Sequence, residues 1–227
     1  MGHGAPFVFE GNNAMTDNST DSVSTDTATD LSFPEHIVIG DTVRWLEHAV
    51  IGLNLCPFAK GVHVKGQIHY VVSQATDAEG VAHDLHRELE ALAESHPDQR
   101  DTTLLMLPQA LADFMDFNDF LEVADAMVEE LELGGILQVA SFHPRFQFEG
   151  TEVDDVTNCT NRAPYPTLHL LREDSIDKAV QVFPEAETIY ERNMQVLEEM
   201  GIEGWLNLDV GPRCPVATGA HGDESAQ

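Results

Sequence analysis

The sequence predicts an α/β domain: a mixed sheet of roughly four strands covered by helices, preceded by a disordered acidic tail. Three observations carry that expectation. Segments with an apolar repeat of about 3.6 residues alternate with short strand-like segments, the pattern of layered helices on a sheet. The chain has 227 residues, 42% of them apolar, which suffices for one core of ordinary size. Its first 34 residues lack such a repeat: positions 12–32 are mostly Asn, Thr, Ser, Asp and Ala, with no basic residue. Such a segment buries too little surface to offset its ordering entropy.

The elements follow in order. Asp41 suits the N-cap of a helix through Val43, Leu46, Val50, Leu53 and Leu55, which must end near Pro57. Residues 62–73 place Val62, Val64, Ile68, Tyr70 and Val72 at even positions, a half-buried strand broken once at Gly66. Thr76 and Glu79 have capping-box spacing and open a helix to about Ser95. Residues 102–107 read as a buried strand. Asp113 opens a long helix through Phe117, Leu121, Ala124, Val128 and Leu131, stopped by Gly134-Gly135. Residues 135–142 and 167–171 give two more strands. Two helices close the domain, the first capped by Asp174, the second started near Pro184 and ended by Gly201. Right-handed crossovers make the first three strands parallel, and the fourth is expected antiparallel to the third. The domain therefore spans 35–210, between the tail (1–34) and a flexible segment (211–227).

Charge narrows the function. Forty acidic residues stand against eleven basic ones, a formal net charge of −29. Nucleic acid and anionic membranes are excluded as expected partners, since both need clustered Lys and Arg. Cys56, Cys159 and Cys214 form no paired spacing, which fits a reducing compartment. No stretch reaches the roughly 18 consecutive apolar residues of a membrane span, and no secretory leader is legible. A cytoplasmic protein is expected.

The segment from Ser141 to Glu173 carries most of the polar chemistry. It leaves a strand end and runs for about two dozen residues before the next strand, long enough to suggest a functional loop. Five of the eleven cations, Lys60, Lys65, Arg145, Arg162 and Arg172, stand beside its motifs or near Cys56. Each suits a carboxylate or phosphate, and arginine does so bidentately. Alternatively, Arg145 and Arg162 pair with Glu149, Asp154 or Asp155. His143 serves as a general base, a metal ligand or a hydrogen-bonded brace for the loop. No motif spacing demands a metal. Were a divalent ion present, His143 and Asp155 would be its ligands. His169, between Leu168 and Leu170, reads as a satisfied core histidine on the face opposite Arg172. Cys56 ends a helix, which disfavours a thiolate, while Lys60 favours one; a buried structural thiol is the alternative. Asn158, Asn161 and Arg162 are donors in a turn stiffened by Pro164 and Pro166, which fix the backbone around Tyr165.

Three motifs, N-L-C-P-F-A at 54–59, S-F-H-P at 141–144 and N-R-A-P-Y-P-T-L-H-L-L-R-E at 161–173, resemble the family of domains of unknown function numbered fourteen-fifteen. The resemblance spans roughly residues 37–205 and brings no mechanism. Its motif positions coincide with Cys56, His143, Asn161, Arg162, Tyr165, His169 and Arg172, which implies a shared site.

Three functions fit these residues. One is an enzyme acting on a small anionic metabolite, with His143, Cys56 and Tyr165 catalytic and Asn158, Asn161, Arg162 and Arg172 holding the substrate. A second is a binding module using the same groups without turnover. The third is an interaction protein presenting its long acidic helix, residues 113–132. Cofactor, reaction and oligomeric state are not legible.

Overall fold

The computed structural model describes residues 34–182 and 188–213. The expected tails fall almost entirely outside them, as do Pro184 and Cys214. Helix α1 (Glu35–Trp45) continues through a π-helical turn at Leu46–Ile51. Helix α2 (Ala59–Val64), strand β1 (Ile68–Val72), helix α3 (Ala78–Glu94), strand β2 (Thr102–Met106), helix α4 (Phe114–Glu130) and strand β3 (Leu137–Phe142) follow. A 3-10 turn (Val156–Asn161), strand β4 (Thr167–Arg172), helix α5 (Glu173–Val182) and helix α6 (Ile189–Asn207) complete the fold.

The sheet has four strands in the order β1-β2-β4-β3. β1 and β2 are parallel, and β4 is antiparallel to both of its neighbours, so β3 runs the same way as β1 and β2. The fold class and the strand directions are those the sequence predicts. The position of β4 is new: it enters between β2 and β3 rather than at an edge. Both helical crossovers, α3 and α4, pack on one face. Their Val81, Leu85, Leu89, Phe117, Phe120 and Ala124 meet Leu105, Leu137, Leu168 and Leu170 of the sheet. The opposite face presents Ile68, Tyr70, Leu104, Met106 and Phe142, covered by α1, its π-helical turn and α6.

Several elements depart from expectation. Asp41 caps nothing; α1 begins at Glu35, and Asp41 lies buried in mid-helix. Its carboxylate accepts from Arg44 Nη1 (2.9 Å), Tyr165 Oη (2.8 Å) and the backbone N–H of Arg213 (2.6 Å). A short carboxylate serves equally as a helix cap or a buried acceptor, and the tertiary partners decided. Val62 and Val64 are helical, not strand. Gly66, at φ 68°, ends α2 in the left-handed conformation, so only Ile68, Tyr70 and Val72 keep the expected alternation. The cap of α3 is Asp77, accepting from Gly80 N at 2.8 Å, in place of Thr76. Gly201, at φ 68° and ψ 172°, leaves the helical conformation and ends the first part of α6 as expected, but a second helical segment follows it directly. Asp113 caps α4 as expected, accepting from Met115 and Asp116. Among the described residues no helix is long and apolar enough to cross a membrane.

Candidate functional site

The loop from β3 to β4 closes on itself. His143 N donates to Asn161 O at 3.1 Å, which brings those two motifs to one end of the sheet. The His143 ring is buried between Phe114 and Phe117, with centroids at 5.4 and 5.1 Å. Its Nδ1 accepts from Arg145 N (3.0 Å), which fixes the proton on Nε2, and Nε2 donates to Leu111 O at 3.2 Å. Burial pushes its pKa down to about 4. The ring is neutral and both nitrogens are engaged, leaving neither for a substrate proton or a metal ion. Among the described residues no three His, Cys, Asp or Glu side chains are grouped to hold a metal. Asp155 instead caps the 3-10 turn through Thr157 N and Oγ1, and those bonds hold its carboxyl below the usual range.

All but one of the other predicted side chains are likewise occupied within the protein. Asn158, fully buried, accepts from Phe148 N and Thr151 Oγ1 and donates to Glu152 O. Arg162 donates to Phe146 O (3.1 Å) and Val153 O (2.7 Å). Asn161 contributes its backbone carbonyl; its side chain makes no hydrogen bond among the described residues. Tyr165 is fully buried and donates to Asp41. Arg172 turns its fork to the end of α3, donating to Leu92 O, Ser95 O and Arg100 O. These are the groups a long irregular loop needs to satisfy its backbone.

The concave space lies elsewhere. A cavity of about 660 Å³ opens between the sheet and the segments that carry α1, α2 and α5. That volume suits one small organic molecule. Its lining is overwhelmingly apolar: Trp45, Leu46, Phe58, Ile68, Leu104, Ala140, Phe142 and Leu171 among others. Cys56, Thr102, His169, Ser175, Asp101, Lys65 and Lys178 supply the polar side, together with Arg172, whose guanidinium is bonded to backbone carbonyls. The register explains the wall, since Leu104, His169 and Ala140 are direct cross-strand partners on β2, β4 and β3. Cys56 lies in the segment joining the π-helical turn to α2, and a short helix follows it where a strand was expected. Burial pushes its thiol pKa up, and backbone N–H groups of Phe58 and Ala59 only partly oppose this.

His169 is the polar centre of the wall. Thr102 Oγ1 donates to Leu170 O (2.6 Å), so its hydroxyl proton is spent. The 2.8 Å contact between Thr102 Oγ1 and His169 Nε2 must then carry the imidazole proton. Nδ1 is left as an acceptor with no partner among the described residues. It is not sealed, because among the described residues the one buried side-chain polar atom without a partner is Tyr70 Oη. His169 is enclosed by protein, and burial pushes its pKa down to about 4, yet it keeps accessible surface as a residue of the cavity wall. The expectation of a hydrogen-bonded histidine holds for one nitrogen only. The sequence signal that could have found it was the polar pair Thr102 and His169 inside two otherwise apolar strands.

Neither the curated proteins nor the solved structures yield a match. The family described as protein of unknown function (DUF1415) matches residues 37–207, which takes in every strand, both sides of the cavity and all three motifs, and the chain belongs to that family.

Proposed function

We propose that the cavity is the binding site of one small organic molecule, and that the protein acts on it with His169 Nδ1 as the proton acceptor. The observation that carries this reading is the unpartnered Nδ1 on the wall of a large apolar cavity. An accessible imidazole nitrogen without a protein partner, on the wall of an apolar concavity, is suited to accept from a ligand donor. A perturbed histidine in a cleft is also where functional sites concentrate. Thr102 fixes the tautomer, so the ring meets its ligand with the lone pair already aimed. The loop residues His143, Asn158, Arg162 and Tyr165 support the walls in this reading and do not touch the ligand.

Binding without turnover is the second reading. It is favoured by the scarcity of further reactive groups, since Cys56 stays a protonated thiol near neutral pH. A thermal-shift screen of small metabolites tests both. Genuine ligands will slow alkylation of Cys56 and lose affinity in His169→Phe. Recovery of a ligand chemically changed, in wild type and not in His169→Phe, separates the enzyme from the binding module. Ligands that leave Cys56 alkylation untouched and perturb His143 and Arg162 instead would return the site to the loop.

A further inference from the structure

The chain contains three lysines and eight arginines, and the two types are used differently. Arg44, Arg87, Arg100, Arg145 and Arg213 are paired with carboxylates. Arg162 and Arg172 are spent on backbone carbonyls, and Arg192 faces the Asn54 side chain. The lysines have no such partner. The ammonium groups of Lys60, Lys65 and Lys178 make no ion pair or hydrogen bond among the described residues, in a protein with forty carboxylates. Two of the three, Lys65 and Lys178, line the cavity, one after α2 and the other on α5. Both are exposed, so they stand at its mouth.

Most of the arginines are held by carboxylates, whereas these ammonium groups are left free to meet a ligand. We propose that the cavity takes an amphipathic organic acid, its apolar body against Leu104, Phe142 and Leu171 and its anionic head between Lys65 and Lys178. This rests on the cavity being the ligand site. The one carboxylate of the lining, Asp101, does not cancel the lysines. It accepts from Ser175 Oγ at 2.7 Å and lies close enough to the Arg172 guanidinium to be offset by it. A flexible ammonium suits this position better than a planar fork, since it can follow a carboxylate or a phosphate into the mouth. The strongly negative protein would repel anions in general. Local cations at this opening therefore favour an acid there.

Decanoate, 1-decanol and decylamine share a body and differ in head group, and they serve as the probes. Each is titrated into the full chain at low salt, with affinity from calorimetry and location from the methyl resonances of Ile68, Leu104 and Leu171. Decanoate is expected to shift those methyls and to bind tightest. Lys65→Gln with Lys178→Gln should weaken decanoate on the order of fivefold or more and leave decanol unchanged, as for exposed charges. Added salt should weaken decanoate in wild type and much less in the double variant. Decanol or decylamine binding as tightly as decanoate at the same methyls would overturn the acid and leave the cavity standing. If none of the three moves those methyls, the cavity itself is not the site and this inference falls with it.

Discussion

Lowering the pH should destabilise this protein between about 6.5 and 4, and His143 should account for a definable share. A free histidine titrates near 6.5, while the folded environment pushes His143 down to about 4. In that window the unfolded chain binds the proton and the folded chain does not, so stability is full above 6.5 and falls as pH drops toward 4. The difference is 6.5 − 4, or about 2.5, and at about 1.36 kcal/mol per pH unit it sets a ceiling of roughly 3–4 kcal/mol. The geometry gives the cause. A proton on Nδ1 would face the N–H of Arg145, and the charge would sit in a closed site. The Phe114 and Phe117 rings at 5.4 and 5.1 Å return some of this, roughly 0.5–2 kcal/mol. A net loss of about 1.5–3 kcal/mol is therefore expected. Urea unfolding at several pH values measures it, with His143→Phe as control. The variant should be less stable at pH 7, because Leu111 O and Arg145 N lose their partner, and its pH slope should be flatter. An imidazole resonance of His143 titrating near 6.5 in the folded protein, or equal slopes in both proteins, would refute the reasoning.

Other consequences follow from the same bonding. Arg162→Lys cannot bridge Phe146 O and Val153 O together, and Arg162→Ala bridges neither; losses of about 1–2 and 1.5–3 kcal/mol in urea unfolding are expected. Affinity for a cavity ligand, corrected for folded fraction, should stay unchanged in both, and a selective loss of affinity would restore Arg162 to the site. Tyr165→Phe removes a charge-assisted bond to Asp41 and should cost about 1.5–3 kcal/mol, while an unchanged unfolding midpoint would show the phenol to be dispensable. Cys56 should alkylate slowly at pH 7 and faster as pH rises, because burial raises its pKa; a rate flat with pH from 7 upward would contradict a protonated thiol.

The sequence reveals the sheet because period and punctuation are local properties. Asp113 caps a helix within its own turn, and Ile68, Tyr70 and Val72 alternate on one strand, so both are legible without partners. The insertion of β4 between β2 and β3 is not legible, since strand order depends on pairings between distant segments. The same limit governs the site. His143, Asn158, Arg162, Tyr165 and Arg172 are polar residues in or next to a long loop, so each must bond to something. Their partners lie far off in sequence: Tyr165 reaches Asp41 across 124 positions and Arg172 reaches Leu92 across 80. The cavity is harder still. Ile68, Leu104, Ala140 and Leu171 have the composition of any core, and nothing in their order distinguishes a wall from a filled interior.

These long-range bonds explain why motif residues surround a cavity that most of them do not line. Asp41–Tyr165 ties α1, which carries Trp45, to the start of β4, which carries His169 and Leu171. Thr102–His169 ties β2 to β4 at the wall itself, and Arg172 ties the end of β4 to the end of α3. Trp45 then packs edge-on against Phe142 at 5.1 Å. The sheet side and the α1 side are thus held by buried bonds, and a ligand would meet walls that need no ordering. The remaining walls differ. Helix α2 has no buried residue; among its described contacts is the partly exposed pair of His63 with Glu47 at 3.1 Å, and α5 is held through Ser175 to Asp101. Segments with little burial and exposed bonds open at the lowest free-energy cost. Entry should therefore lie between α2 and α5, where Lys65 and Lys178 stand, and the base of the cavity at His169 should stay fixed while the mouth moves.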